Sequence, residues 1–245
     1  MSVNHVARIV PVIKVNNRNL NQDFYSKTLG MKSLLEEGAQ LSLGDQTKTE
    51  RLVLEESPSM RSRRVKGAKK LARLVIKVAK AAEIEALLAR GIQVDNLYRG
   101  EKGYAFEATS PEGDCILLHA EEKVTCLQPV QETPAFEVQD DFIGLSQFEV
   151  EKIELRAPDL QAVKDFYQPV SNVLDFLDVQ EAQGEDLTAD NAKTWDLAML
   201  KCLVADFDVE KLSSIFATQE FFVPKSKKFL VSQDRSNIEL WFEQL

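Results

Sequence analysis

The alternation of apolar and polar residues predicts a strand, a helix and three more strands near the start of the chain. Residues 8–15, RIVPVIKV, form an apolar run rich in β-branched side chains, which is typical of a buried strand. A helical period follows over residues 17–29, with Asn16 or Asn17 as the N-cap and Gly30 as the residue that ends the helix. Turn-forming residues then separate short strands at 31–36, 39–44 and 50–55. This pattern is that of one βαβββ unit.

The same order of elements repeats along the rest of the chain. The second unit is predicted as a strand at 71–78, a helix at 79–91 and strands at 92–98, 104–109 and 115–120. The third begins with a strand at 150–157 and a helix that has Pro158 near its first position. The fourth is predicted as a strand at 197–204, a helix at 208–216 and strands at 227–233 and 237–245. The placement of strands within residues 176–196 stays open.

The length of the chain sets the number of domains that it can form. A chain of 245 residues, 44% of them hydrophobic, can form one large domain or two of about 120 residues each. The segment at 121–147 is acidic, contains two prolines and has little periodicity. We therefore predict an N-terminal domain at 1–120, a linker at 121–147 and a shorter C-terminal domain at 148–245.

Composition argues against several classes of function. A formal net charge of −9 disfavours a nucleic-acid partner, because binding to phosphates requires a basic face. No apolar run approaches the ~18 residues that a membrane-spanning helix needs, and the first residues lack the pattern of a secretory signal. We expect a cytoplasmic protein with no membrane partner. The three cysteines form no CxxC pair, so we expect reduced thiols and neither a disulfide framework nor a zinc motif.

One basic segment interrupts this acidic chain. Residues 61–73, RSRRVKGAKKLAR, carry arginines and lysines and no acidic residue. This segment has two interpretations. It is either a solvated connector between two strands or an anion-binding site.

Several short motifs resemble the vicinal oxygen chelate superfamily, which contains glyoxalases, bleomycin resistance proteins and extradiol dioxygenases. In the first unit the resemblance lies in Val15, Leu20, Phe24, Tyr25, Leu29, Gly30 and Met31. The second unit ends in SPEGDCILL, which is similar to the superfamily's usual D-P-[DE]-G-N-x-x-E-L, and the C-terminal half contains LRAPDL, DFY and NIELWF. The resemblance implies an α+β fold of two tandem glyoxalase-like domains built from four βαβββ modules.

The whole chain also resembles the streptococcal CppA family. This resemblance rests on the two Phe-Tyr pairs at Phe24 and Phe166, on the length and on the degenerate last strands. The name of that family implies a proteinase that degrades the third component of complement. The activity in the name is a separate hypothesis from the fold.

The superfamily binds a divalent metal through His, Glu or Gln side chains on the first and last strands of its modules. The resemblance places those positions at Val10, Val53, Arg73 and Leu117 in the N-terminal half, and at Lys152, Met199 and Glu239 in the C-terminal half. One carboxylate among these positions does not hold a catalytic metal against water. We therefore expect no metal and no other cofactor.

Strand alternation predicts which side chains share the inner face of each half, because residues two apart point to the same side. In the N-terminal half this face would be lined by Val10, Val12, Arg73, Val75, Cys115, Leu117 and His119, with Lys14 and Lys77 near the rim. Arg73, Cys115 and His119 are our candidate ligand-binding residues there, since an apolar pocket with few polar groups is typical of a small-molecule site. In the C-terminal half the candidates are Lys152 and Glu239, which we expect to form an ion pair. The alternative is that the other domain or a second subunit closes these faces.

Three functions are compatible with these observations. The first is a metal-free glyoxalase-fold protein that binds a small molecule or a protein partner, including a second copy of the chain as a homodimer. The second is the complement-degrading proteinase, although HExxH and GxSxG are absent and four residues of strand hold Cys115 and His119 roughly 13 Å apart. The third is a diverged metal-dependent lyase or dioxygenase, which requires that a strand bulge shifts the expected ligand positions. Catalytic residues are not assigned.

Overall fold

The computed structural model describes residues 4–58, 65, 67–131, 134–170 and 172–245. The fold is α+β, and in this described part of the chain the strands belong to two mixed β-sheets. None of the described helices is long and apolar enough to cross a lipid bilayer.

The elements that the sequence pattern predicts occur in the predicted order, together with three further strands in the residues that the structure describes. The first half contains β1 (Val6–Val15), α1 (Arg18–Asp23), β2 (Lys32–Glu37), β3 (Gln40–Gly44), β4 (Glu50–Glu56), β5 (Leu71–Val78), α2 (Ala81–Ala89), β6 (Asn96–Arg99), β7 (Tyr104–Thr109), β8 (Cys115–His119) and β9 (Gln128–Pro129). The second half contains β10 (Phe148–Ala157), α3 (Leu160–Tyr167), β11 (Leu177–Glu181), β12 (Leu197–Val204), α4 (Val209–Ile215), β13 (Phe221–Phe222), β14 (Phe229–Gln233) and β15 (Glu239–Gln244). The α+β class is confirmed, and the division into four modules stays a prediction.

The chain divides into two compact units that alternate along the sequence. Unit 1 comprises the described residues within Met1–Lys14, Ser57–Ala72 and Lys152–Leu245, and unit 2 comprises Val15–Glu56 and Arg73–Glu151. The predicted boundaries at 1–120 and 148–245 stay a prediction.

Unit 2 contains two groups of strands among its described residues. The first is an antiparallel meander of β2, β3 and β4, and the second has the strand order β9-β6-β7-β8-β5. In the second group β5 and β8 are parallel, and the other neighbours are antiparallel. Helix α2 packs on β7 and β8 through its buried residues Ile84 and Leu87, which are both 0% exposed. Burying two such side chains stabilises the fold by about 1.5–3 kcal/mol each.

Helix α1 begins and ends as its sequence indicates. The side chain of Asn17 accepts a hydrogen bond from the backbone N–H of Leu20, which caps the first turn. The helix continues into a π-helical turn at Phe24–Thr28, and Gly30 then takes φ +68°, a left-handed conformation that favours glycine. Of the two candidates, Asn16 and Asn17, the N-cap is therefore Asn17.

The predicted linker packs against unit 2. Strand β9 lies within it and pairs with β6, so that Tyr98 is opposite Pro129. Leu145 is fully buried, and its N–H donates to the carbonyl oxygen of Gly30 at 2.8 Å. The segment is therefore an ordered part of unit 2 in its described residues.

In unit 1 the strand order is β13-β14-β15-β12-β1, and β10 pairs with β11 in parallel. Strands β12 and β15 are parallel, and β1 runs antiparallel to β12. An aromatic cluster joins both helices to the sheet, since the Phe216 ring centroid lies 5.9 Å from that of Phe166 and 5.8 Å from that of Phe242. These three rings are the centre of the unit 1 core.

One local prediction needs correction, and two strands of unit 1 were not placed from the sequence. Asp159, whose side chain accepts a hydrogen bond from the N–H of Ala162, is the N-cap of α3, so Pro158 precedes the cap and does not occupy the first helical position. Strand β11 falls within the stretch whose strands were left open, and the two-residue strand β13 was not predicted.

The basic segment is only partly a solvated connector. Arg61, Arg63, Arg64 and Lys66 lie outside the described residues. Lys70 is fully buried, and its Nζ donates to the carbonyl oxygen of Ala189 at 2.8 Å and to Asn191 Oδ1 at 3.2 Å. Burial lowers the pKa of Lys70, although the nearby carboxylate of Asp196 opposes this shift. Lys70 is therefore part of the unit 1 interior.

Candidate functional site

The strand register of unit 2 places the N-terminal candidate residues on one face. Val75 is paired with Leu117, which in turn is paired with Glu107, and Glu107 is paired with Asn96. Residues two apart share a side of a strand. The unit 2 face therefore consists of Arg73, Val75 and Lys77 on β5, Cys115, Leu117 and His119 on β8, Ala105, Glu107 and Thr109 on β7, and Asn96 and Tyr98 on β6.

The middle of this face is closed to solvent. Val75 and Leu117 are each 1% exposed, whereas the side chain of Arg73 is 31% exposed and Cys115 is half-buried. The resemblance predicts a metal-ligand position at Leu117, and a side chain so deeply buried offers no contact to a ligand from solvent. The accessible parts of the unit 2 face lie towards its ends, and one of them is the rim around Arg73.

Glu107 is the centre of a hydrogen-bond network at this rim. Arg73 Nη1 donates to Glu107 Oε1 at 2.6 Å, while Asn96 Nδ2 and Tyr98 OH each donate to Glu107 Oε2 at 2.9 Å. Burial alone would raise the pKa of Glu107, but the hydrogen bonds from Arg73, Tyr98 and Asn96 outweigh it and hold the pKa below its ordinary value. Glu107 is therefore an ionised carboxylate whose two oxygens both accept hydrogen bonds.

Tyr98 completes this network as a neutral donor. Burial, followed by the hydrogen bond to Glu107 and the charge of that carboxylate, raises the pKa of Tyr98 to about 12. The phenol therefore keeps its proton at neutral pH and continues to donate to Glu107.

His119 belongs to a second polar cluster at the other end of the unit 2 face. The N–H of Glu121 donates to His119 Nδ1 at 3.2 Å, and Nε2 lies 3.1 Å from Glu151 Oε2. Burial lowers the pKa of His119 and Lys77 adds to this, although Glu151 opposes it. His119 is therefore a neutral imidazole whose proton is on Nε2, beside a carboxylate.

Lys77 connects this cluster to solvent. Its Nζ lies 3.0 Å from Glu122 Oε2 and 3.8 Å from Glu151 Oε1. Lys77 also lines a cavity of about 280 Å³ together with residues that include Lys102 and Phe148. His119 itself is fully buried and does not line this cavity.

The register of β1 gives Val10 and Val12 their neighbours within unit 1. Val10 is paired with Lys201 and Val12 with Met199, and the predicted grouping of these valines with Arg73 stays a prediction. Since paired residues share a face, the two valines belong with the residues of β12.

The two C-terminal candidates have other neighbours than expected. Lys152 Nζ donates to the backbone carbonyl oxygen of Asp175, in place of the ion pair that we predicted with Glu239. Glu239 lies on β15, opposite Met199 on one side and Gln233 on the other. Sequence reasoning missed Glu107, although a carboxylate within the otherwise apolar YAFEAT strand was a usable signal.

The residues at the metal positions do not fit a metal. Among the described residues, no group of three or more His, Cys, Asp and Glu side chains could hold a metal ion. At one position the guanidinium of Arg73 would repel a cation, and the adjacent Glu107 already accepts three hydrogen bonds. We therefore derive no chemistry through a metal.

Comparison with known proteins identifies the family of the chain. The family profile described as CppA N-terminal matches residues 8–130, and that described as CppA C-terminal matches residues 145–242. The crystal structure of the cppA protein from Streptococcus pneumoniae TIGR4 is 51% identical, covers 100% of each chain and has a TM-score of 0.91. This chain belongs to the CppA family.

More distant structures show the fold of this CppA-family chain. A putative dioxygenase from Bacillus subtilis is 13% identical over 98% of this chain and 86% of that chain, with a TM-score of 0.61. Glyoxalase I from Zea mays is 14% identical over 97% of this chain and 92% of that chain, with a TM-score of 0.57. The predicted vicinal oxygen chelate fold is confirmed. A search of curated proteins found no match.

Proposed function

We propose that this CppA-family chain is a metal-free binding protein that takes a small molecule at the rim of the unit 2 face. The observation that carries this proposal is the 2.6 Å ion pair between Arg73 and Glu107 at a position where the superfamily presents a metal ligand. The fold supplies the concave scaffold, and the ion pair replaces the metal as the polar anchor.

The chemistry of the rim favours a ligand with carbonyl or carboxylate oxygens. A guanidinium presents five N–H donors in a planar fork that suits such oxygens. Arg73 is held in place by the network on Glu107, so little side-chain freedom is lost when a ligand binds. Cys115 and Tyr98 provide half-buried walls beside it. A small oxo acid has the appropriate size and polarity.

Thermal unfolding in the presence of small mono- and dicarboxylic oxo acids tests the proposal. A ligand at about 100 times its Kd stabilises the folded chain by about 2.7 kcal/mol, which raises Tm by about 5–10 °C for a protein of this size. We expect the rise in the native protein and in Arg99→Met, a matched control because Arg99 is an exposed arginine of the same unit. Arg73→Met should abolish the rise.

Two results would contradict the proposal. A stoichiometric transition metal in the purified protein, measured by elemental mass spectrometry, would show that the rim does not replace a metal. An acid that stabilises Arg73→Met as strongly as the native protein, or the absence of stabilisation by any of the acids, would show that Arg73 is not the anchor.

No specific observation favours the proteinase that the family name implies. His119 Nδ1 accepts from Glu121, and its Nε2 lies against Glu151 rather than a thiol. Cys202 is fully buried, and burial raises the pKa of its thiol, which keeps it protonated. Incubation of the pure protein with the third component of complement should give no inhibitor-sensitive cleavage, and such cleavage would favour the proteinase.

A further inference from the structure

The unit 1 sheet has an inner face that is more open and more aromatic than the unit 2 face. Trp241 is paired with Lys201 on one side and Val231 on the other, and Val231 is paired with Phe222. By alternation the unit 1 face consists of Val10 and Val12 on β1, Met199 and Lys201 on β12, Glu239, Trp241 and Glu243 on β15, Phe229, Val231 and Gln233 on β14, and Phe222 on β13. Trp241 and Phe229 are half-buried, which leaves part of each ring accessible.

Three aromatic rings lie in a row on this face. The rings of Phe229 and Trp241 are stacked, with centroids 4.0 Å apart and planes 20° apart. Phe222 lies next to them, with its centroid 6.2 Å from that of Phe229, and is 60% exposed. A phenylalanine so exposed contributes little to the core, because it buries little apolar area. Phe242, by contrast, points to the opposite side of β15 and is fully buried.

The row of rings borders an acidic cavity. A cavity of about 400 Å³ is lined by Glu220, Phe221, Phe222, Val231, Ser232, Gln233 and Glu239. Among these described residues the charged side chains, Glu220 and Glu239, are both carboxylates. Aromatic faces and carboxylates together attract a cation, through the ring quadrupole and through charge-assisted hydrogen bonds. The net charge of −9 draws basic partners to the protein as a whole.

The position of β13 favours a polypeptide as the source of that cation. In unit 1 this strand is the last in the order β13-β14-β15-β12-β1, so within the described residues one side of its backbone has no neighbouring strand. An extended segment can add to such an edge through backbone hydrogen bonds, and every second side chain then points to the unit 1 face. A free amine or guanidine would gain none of these backbone contacts.

We propose that the unit 1 face binds a lysine or arginine side chain of a partner protein, presented by an extended segment that adds to β13. The cation lies between Phe222 and the carboxylates of Glu220 and Glu239, and the stacked pair of Phe229 and Trp241 forms the adjoining wall. This site uses none of the residues of the rim at Arg73, so either proposal can fail without the other.

The site is tested with a synthetic peptide, acetyl-Thr-Arg-Thr-Arg-Thr-amide, in titrations followed by ¹H–¹⁵N NMR of the intact chain. The indole N–H of Trp241 should shift during the titration, whereas that of Trp195 should not, and Trp195→Phe assigns the two signals. The matched acidic peptide acetyl-Thr-Glu-Thr-Glu-Thr-amide should cause no shift. Glu239→Gln and Phe222→Ser should each weaken binding about tenfold, the size of one lost charge-assisted or cation–π contact.

Control variants and peptides separate the contribution of the cationic side chain to binding from the contributions of backbone pairing and of nonspecific charge. Glu185→Gln removes one exposed carboxylate of unit 1 outside this cavity and should leave the affinity unchanged. A peptide of the same sequence with N-methylated backbone amides should bind several-fold more weakly. The proposal is wrong if the acidic peptide binds as well as the basic one, if Glu239→Gln and Phe222→Ser bind like the native protein, or if ethylguanidinium binds as tightly as the peptide.

Discussion

The two Phe-Tyr pairs of the chain offer a test of which buried hydroxyl stabilises the fold. Tyr25 and Tyr167 are both 0% exposed, and each makes an edge-to-face contact with the phenylalanine before it, at 5.2 and 5.0 Å between centroids. They differ at the hydroxyl. Tyr167 OH donates to Asp234 Oδ2 at 2.9 Å, whereas within the described residues Tyr25 OH has no hydrogen-bond partner. The same substitution at both positions therefore isolates one hydrogen bond.

We expect Tyr167→Phe to lower the free energy of unfolding by about 2 kcal/mol. Asp234 is 6% exposed, and its other oxygen accepts from the N–H groups of Ser236 and Ile238 at 2.8 Å each. Loss of the tyrosine donor leaves Asp234 Oδ2 unsatisfied in a buried position, which costs about 1–3 kcal/mol. Tyr25→Phe removes a hydroxyl that is desolvated and unpaired, so its effect should lie within about 0.5 kcal/mol of zero or be stabilising.

Urea unfolding, followed by circular dichroism at pH 7, measures both variants against the native protein. A change of about 2 kcal/mol corresponds to about 4–8 °C in Tm for a chain of this size, so thermal unfolding provides a second measurement. Equal losses in the two variants, or a larger loss in Tyr25→Phe, would refute the assignment of the stabilising hydrogen bond to Tyr167 and Asp234.

Three further predictions concern the unit 2 face and the thiols. Glu107→Gln should destabilise the protein by about 2–3 kcal/mol in urea unfolding, because it weakens three hydrogen bonds to a buried charge. The exposed control Glu85→Gln should lower the free energy of unfolding by less than about 1 kcal/mol. Equal losses in the two variants would contradict the hydrogen-bond network around Glu107. The fold lowers the pKa of His119, so the contribution of His119 to stability is present above pH 6.5 and is lost as the pH falls through the folded pKa. His119→Gln should therefore flatten the dependence of Tm on pH between pH 7 and 5. An unchanged slope in this variant would show that His119 does not cause the pH dependence. Cys202 should resist an aromatic disulfide reagent until the protein unfolds, whereas the two half-buried cysteines should react in the native state; three fast thiols would contradict the burial of Cys202.

Local signals explain why most of the elements could be predicted from sequence. The apolar run of β1, the asparagine cap of α1 and the left-handed Gly30 are each determined by a few adjacent residues. Strands as short as β13 carry no periodic signal, because two residues cannot show an alternation. The strand β13 was accordingly not predicted.

The candidate site depended on tertiary register, which the sequence pattern does not contain. Alternation placed Arg73, Cys115 and His119 on one face, and the pairing of β5 with β8 and of β8 with β7 agrees with this arrangement. The partner of Arg73 is Glu107, which lies 34 residues away and meets it only because β7 is next to β8. The neighbour of Val10 was missed for the same reason, since Lys201 belongs to a strand far along the chain.

The pairing of Val6 with Val204 also has a consequence for synthesis of the chain. At about 5–20 residues per second, β1 leaves the ribosome roughly 10–40 s before β12 has been translated. During that interval the edge of β1 that will pair with β12 is unpaired and is exposed to other nascent chains. Pro11, in the middle of this strand, has no N–H to offer to a foreign strand. The chain therefore offers one backbone donor fewer to a foreign strand during that interval.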